Sequence, residues 1–479
     1  MSENHREVQR HGTIYFLSSI GITIIGFLAT IFYAHWVGAG VLGSYFVFLS
    51  YFSILCVLTD LGIGYAGTQR ICEGKDPDRY FTASLAIRVV IFVIIVGGLL
   101  VFHDWFVDLN VAGLFWVLII AVGLAMLQTS VAMSVAASNR LGLTATATLI
   151  NNLARIIVQV ITIFLGFEVF GLVGGLIAGI LLELIIDIRY VDYNLKKFEW
   201  AHVKSLFSFS SWAFFINSGT VLFDNANILI IAYFLPVADV GIFGVCWTFS
   251  VFALFVSTAL CNTLYVKVSR WNAIGDIDTI ASSLSRATTY SMVLALPMLA
   301  GGIILGDKLL YYVYGAAFTA GATALIIIIA VRVFQSVYLL YTNYLMATDH
   351  ARMAFYGLGI GIPANIILSV LLVPVLGLTG AALASLVNVL ICVIIGRHFL
   401  GEIIPIIIER SPVIHILIST GVMIVVLLVL SLIIQQESAI VTGAMVIMGA
   451  LTYFIALLLL DKPLRDDGMR TLKIQWVPK

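Results

Sequence analysis

GLVGGLIAG, residues 171–179, returns as GLTGAALAS at residues 377–385, about two hundred positions later. Glycine, leucine, a second glycine, a small residue and alanine recur in register. Such residues leave one helix face almost bare, so a neighbouring helix can approach closely inside a bilayer. Close packing accounts for the glycines but not for their duplication. The surroundings repeat too: AASNR (136–140) precedes the first pair of apolar stretches and MATDH (346–350) the second. VLGSYFVF (41–48) has a looser counterpart in DVGIFGVC (239–246). Two diverged copies of one bundle, with the same polarity, imply a pseudo-twofold axis along the membrane normal.

The composition requires a membrane. The chain has 479 residues, 61% hydrophobic and 10% charged, with a mean hydropathy of +1.10. Apolar runs long enough to cross a hydrocarbon core of about 30 Å recur from Thr13 to Leu460. Helices are expected, because each span must satisfy its own backbone polar groups and the runs do not alternate as barrel strands do. About fourteen spans lie near 13–36, 43–67, 81–103, 112–134, 143–166, 168–190, 206–234, 239–262, 285–306, 316–343, 353–375, 378–400, 412–434 and 440–461. The fold class is therefore all-α integral membrane. Residues 13–190 form an N-lobe of six spans and 206–400 a C-lobe of six, joined by a cytoplasmic linker at 191–205. Two further spans occupy 401–461, and cytoplasmic tails occupy 1–12 and 462–479. The first apolar stretch is too long for a cleavable signal peptide and reads as a span.

Charge is sorted by side. Arg6, Arg10, Arg70, Lys75, Arg79, Arg140, Lys196, Lys197, Lys204, Lys267, Arg270, Arg352, Arg397 and Arg410 fall on one set of joints and the N-terminal tail. The C-terminal tail adds Lys462, Arg465, Arg470, Lys473 and Lys479, whereas the opposite joints carry Lys308. This bias places both termini in the cytoplasm. The five cysteines form no CxxC, and the eight histidines show no HxxxH or HExxH spacing, so no metal site is expected.

No loop has room for a catalytic domain, and no GxxxxGK[ST] occurs, so an enzyme is not expected. Function must then reside in polar groups kept within the membrane, which are expensive there and face protein or water. Arg88 lies about seven residues from a span end, close enough either to snorkel or to line an entrance. Arg155 is deeper, on a stripe formed by Thr148, Asn151, Asn152, Arg155, Gln159 and Thr162 at three-to-four spacing. Arg332 is also central and is followed by Gln335, Ser336, Thr342 and Asn343. Two readings stay open for these arginines: a wet, substrate-binding lumen, or bridges to Asp60, Glu183, Asp187 or Asp224. Asp224, sharing a face with Asn217, is the first candidate for H⁺ or Na⁺ coupling, and Asp60 is a second. For Asp60, pairing with Arg70 or Arg88 competes with that role. Tyr338, Tyr341 and Tyr344 line one face, either as an aromatic belt or as stacking surfaces for sugars. Pro297 and Pro363 fall inside spans and permit kinks.

Several stretches in order resemble the polysaccharide-biosynthesis, lipid-linked oligosaccharide flippases of the multidrug/oligosaccharidyl-lipid/polysaccharide exporter superfamily. They are VGAGVLGSYFVF (37–48), LTDLGIGYAGTQR (58–70), FDNANILIIAYFLPVADVGIFGV (223–245), YVYGAAFTAGATAL (312–325) and the paired GLxG helices. The resemblance implies a V-shaped, two-lobe transporter with an alternately exposed cavity. It also implies a polyprenyl-(pyro)phosphate-linked sugar or oligosaccharide as cargo, moved across the cytoplasmic membrane for cell-surface glycan synthesis. The expected partners are that glycolipid and membrane lipids, with no nucleic acid and no cofactor. A monomer is expected, working beside glycan-assembly enzymes. A multidrug cation/proton or Na⁺ antiporter of the same superfamily is the alternative, and a membrane glycan ligase or polymerase a weaker one.

Overall fold

The computed structural model describes residues 2–138, 140–406, 409–434 and 438–465, without the side chains of 2–20, 141, 209, 211–213, 215–218 and 220. The described contacts group the chain into two compact units, Met1–Gly244 and Val245–Lys479.

In the first unit α1 runs over Ser2–Asp60. At about 1.5 Å per residue, its apolar part, Gly21–Asp60, is roughly twice as long as a bilayer requires. Gly38 interrupts the helix with φ 75° and ψ 178°, which divides it into the two expected spans. The second half ends at Asp60, earlier than the expected 67, because Leu61 and Gly62 take left-handed φ of 43° and 76°. The helix α2 (Ile63–Cys72) starts directly after them. Then follow α3 (Pro77–Val101), the short α4 (Val107–Val111), α5 (Phe115–Ala137), α6 (Leu141–Phe164), α7 (Glu168–Asp187) and α8 (Trp200–Phe234). The final helix, α9 (Val237–Ser250), crosses from this unit into the next. Contacts with α1, α2 and α3 place α8 in the first unit, although the repeat opens its second copy near 206.

The second unit continues with α10 (Phe255–Ala273), α11 (Ile277–Leu309), α12 (Ala322–Ala347), α13 (Ala351–Leu376), α14 (Leu378–Gly401), α15 (Arg410–Ile433) and α16 (Ala439–Leu460). Pro297 and Pro363 lie within α11 and α13. Twelve helices among the described residues are long and apolar enough to span. Division of α1 at Gly38, together with the 35-residue α8, brings the crossings to the expected fourteen.

Each copy of the echoed motif joins a hairpin, but differently. α7 packs along α6, and α14 along α13. In α14, Gly377 is itself the joint, with φ 61°, and Gly380 abuts the backbone of Leu372 and Val373. In α7 the motif starts inside the helix, and Gly166 with Glu168 makes the turn instead. Gly171, Gly175 and Gly179 then receive Thr162, Gln159 and Asn151 of α6. Half of the polar stripe on α6 is therefore seated against glycines, while Thr148 is exposed and Asn152 and Arg155 are half-buried.

The other repeated pair meets directly within the first unit. Gly241 on α9 lies against the Ala39 carbonyl and 3.0 Å from the Gly43 nitrogen, measured from where a Cβ would stand. Gly43 in turn faces Val237. The two counterpart stretches thus cross backbone to backbone.

Tyr338, Tyr341 and Tyr344 correct the sequence reading. They are 8%, 2% and 0% exposed and belong to the packed core of the second unit, with Tyr344 hydrogen-bonded to Ser283 at 2.5 Å. Glycines at 357 and 396 make room for Tyr338 and Tyr341. Neither a belt nor a sugar platform is present there.

Candidate functional site

Arg88 and Asp60 are the simplest pair. The Arg88 side chain is 1% exposed, pairs with the Asp60 carboxylate and donates to Ser130 Oγ at 2.7 Å. Asp60 also accepts from the Gly64 backbone N–H at 3.1 Å. Arg70 pairs with Glu73 instead. Arg88 is thus neither snorkelling nor lining an entrance, and Asp60 is a structural counter-ion rather than a vacant cation ligand. The left-handed break at Leu61–Gly62 explains this: it ends α1 so that Asp60 projects beside α2 and α3. Removing Asp60, whose own side chain is partly exposed, leaves the buried Arg88 guanidinium without its counter-ion, at a cost of at most about 3–5 kcal/mol. Asp60→Ala should therefore lower the thermal midpoint of the purified protein sharply. The double change Asp60→Leu with Arg88→Leu should recover part of the loss, and equal loss in both would contradict the pairing.

Arg155 sits in a different setting. It is half-buried on α6, donates from Nη2 to the Tyr45 hydroxyl at 2.5 Å, and lies 5.9 Å from the Tyr45 ring centroid. Among the described residues no carboxylate lies within ion-pair distance of it. Gln159, 1% exposed, ties this group together. Its amide donates to Tyr45 Oη at 2.8 Å and to the Leu172 carbonyl at 2.6 Å, and its oxygen accepts from Tyr33 Oη at 2.8 Å. Both amide hydrogens of Gln159 are therefore engaged and its oxygen already accepts one bond, so it acts to fix Tyr45. Asn151 is likewise engaged, donating to Glu183 Oε2 at 2.5 Å. Asn152 returns its amide to the Thr148 carbonyl of its own helix at 2.8 Å.

Arg332 on α12 is 2% exposed. Its guanidinium carbon lies 4.0 Å from the Trp247 ring centroid, in cation–π contact. Its Nε donates to Ser250 Oγ at 2.9 Å and its Nη1 to Gln335 Oε1 at 2.6 Å. Each unit thus holds a guanidinium well inside a span, braced by an aromatic ring and by neutral oxygen acceptors. Tyr45 and Trp247 come from, or directly follow, the counterpart stretches 41–48 and 239–246. The repetition marked those stretches, but nothing in it marked their aromatic residues as partners of arginine. Tyr33, Tyr45, Trp247 and Ser250 were all missed in the sequence for this reason.

Asp224 is half-buried on α8 and is engaged by other groups, so it is not a free carboxylate. Its neighbour Asn225 donates to the Val221 carbonyl at 2.8 Å, and Asn227 is fully buried. The side chain of Asn217 lies outside the described residues.

Comparison with known proteins gives this arrangement a context. The family model described as "Polysaccharide biosynthesis protein" matches residues 38–323, more than half of the chain. The "Probable low-salt glycan biosynthesis flippase Agl15" of Haloferax volcanii is 25% identical over 98% of this chain and 100% of its own length. The "Probable flippase AglR" of the same organism is 23% identical, covering 97% of this chain and 98% of its own. Among solved structures, the lipid II flippase MurJ in an inward closed conformation superposes with a TM-score of 0.76 at 15% identity, over 94% of this chain and 99% of that one. An inward-facing multidrug resistance MATE family transporter of the MOP superfamily gives 0.63 at 14% identity, over 78% and 94%. These relatives are named as flippases and transporters, not as enzymes. From the match over 38–323, the chain belongs to the polysaccharide biosynthesis protein family, as a multi-pass membrane protein whose fold is shared with the MurJ and MATE structures.

Proposed function

We propose that this protein flips a polyprenyl-phosphate- or polyprenyl-pyrophosphate-linked sugar or oligosaccharide across the cytoplasmic membrane, by alternating access, during synthesis of a surface glycan. The observation that carries this reading is Arg155. A guanidinium well inside a span is costly, and here its described partner is a tyrosine hydroxyl rather than a carboxylate. An anionic phosphate group would complete it, and the planar guanidinium suits that oxygen geometry. Within the second unit, Arg332 offers a further guanidinium for phosphate or acidic sugars, with Gln335 beside it. The printed names of the two Haloferax volcanii relatives support the cargo class. Both termini are cytoplasmic on the distribution of Lys and Arg. The protein works as a monomer beside the enzymes that assemble the glycan, and its cycle is driven by H⁺ or Na⁺.

Deletion of the gene tests this. The lipid-linked glycan should accumulate on the inner leaflet and the finished glycan should fall at the surface. An unchanged surface glycan with no accumulated intermediate would overturn the proposal.

A further inference from the structure

Glu183 and Asp187 stand one turn apart on α7, 6% and 0% exposed. Like charges at this spacing face each other along a helix. Two adjacent carboxylates sealed from water cannot both remain ionised without a compensating cation. The surroundings treat the two unequally. Glu183 accepts from Thr148 Oγ1 at 2.8 Å and from Asn151 Nδ2 at 2.5 Å, both on α6. Among the described residues, both oxygens of Asp187 lack a hydrogen-bond partner. Gln128 on α5 approaches it without reaching hydrogen-bonding geometry.

Among the described side chains, no neighbouring element brings a compensating charge. α5 carries no charged residue. On α6, Arg155 turns to Tyr45. On α1, Asp60 is paired with Arg88. Arg140 pairs with Asp192 at 3.1 Å, and Arg189 is exposed. Asp187 is also the last residue of α7, where the helix carbonyls present partial negative charge.

We propose that Glu183 and Asp187 form a proton-binding site, in which Asp187 carries the proton beside a Glu183 held by Thr148 and Asn151. The exposed residues 188–190 leave about one helical turn between this carboxyl and water, so exchange needs only a local opening. Proton binding here would supply the coupling ion of the transport cycle. That consequence rests on the flippase reading, whereas the binding site does not.

Infrared spectroscopy of the purified full chain in lipid nanodiscs tests the site. At pH 5 the protein should show the carbonyl stretch of a neutral carboxylic acid, sensitive to D₂O. Asp187→Asn should abolish it and Glu183→Gln should leave it. If the asparagine variant does not fold, Asp187→Glu should move the band to the position of a glutamic acid, and an unmoved band overturns the proposal. A wild-type spectrum without the band overturns it whatever the variants do. So does a band removed by Glu183→Gln but not by Asp187→Asn. A band that vanishes when choline chloride is replaced by NaCl at constant pH also overturns it, in favour of a Na⁺ site. The measurement needs no glycan, so its failure and a failure of the flippase reading are separate results.

Discussion

Arg155→Ala should reduce glycan export roughly ten- to a hundredfold, while the protein accumulates and purifies normally. The magnitude follows from one charge-assisted hydrogen bond to an anion, about 1.5–3 kcal/mol. Folding should survive because the side chain is half-buried and anchored by a single hydrogen bond to Tyr45, which Gln159 continues to hold. Arg155→Lys should keep part of the activity, because it retains charge but not the two-pronged donor geometry. Asn152→Ala is the control on the same helix: its amide serves only a carbonyl one turn back, and export should be unchanged. Arg332→Ala should match Arg155→Ala in export but also lose some stability, since it uncovers Trp247 and removes the donor to Ser250 Oγ and Gln335 Oε1. Export per folded molecule, read from surface glycan normalised to membrane protein, separates the two effects. Normal export by Arg155→Ala would remove this residue from any phosphate site.

Two adjacent glycines give the largest contrast in folding. Gly175→Val should prevent stable folding, whereas Gly174→Val should be silent. A Cβ on Gly175 would stand 2.7 Å from the Arg155 carbonyl oxygen, in contact with Gln159, and backbone cannot retreat from it. Overpacking typically costs about 1–3 kcal/mol. Here it would also displace the glutamine that holds Tyr33, Tyr45 and the Leu172 carbonyl. A Cβ on Gly174 meets nothing within 4 Å. Detergent-extracted protein run on size exclusion, followed by thermal unfolding, measures both. Equal behaviour of the two variants would mean that α6 and α7 do not pack through this face.

Much of this architecture is legible in the amino-acid order, because the bilayer imposes its length on every span. The apolar runs, the small-residue motifs and their repetition marked the helices and their hairpin pairing. They could not mark what each polar residue meets, since that depends on a partner helix far away in sequence. The α6 stripe illustrates the limit. Its period was plain, yet Thr162, Gln159 and Asn151 proved to be seated on the glycines of α7, and Arg155 and Gln159 both reach across to tyrosines of α1. For Asp60, pairing with Arg70 or Arg88 was open in the sequence, and the structure shows it with Arg88. Tyr338, Tyr341 and Tyr344 had the spacing of a surface belt, but glycines on α13 and α14 admit them to the core. The boundary errors have a similar cause: positive φ at Leu61 and Gly62 ends a helix in the middle of an apolar run, where hydropathy changes little.

Reconstitution of the purified chain into sealed vesicles tests the flippase reading most directly. A fluorescent, short-chain polyprenyl-phosphate-linked sugar is placed in one leaflet, and its arrival in the other is followed by quenching from outside. Wild-type protein should move the lipid, Arg155→Ala should fail to do so, and the same sugar on an uncharged polyprenyl ether should cross poorly. Equal transfer of the charged and uncharged lipids would contradict a guanidinium-recognised phosphate. No transfer of either, with exchange of an organic cation for protons instead, would make the chain a multidrug antiporter.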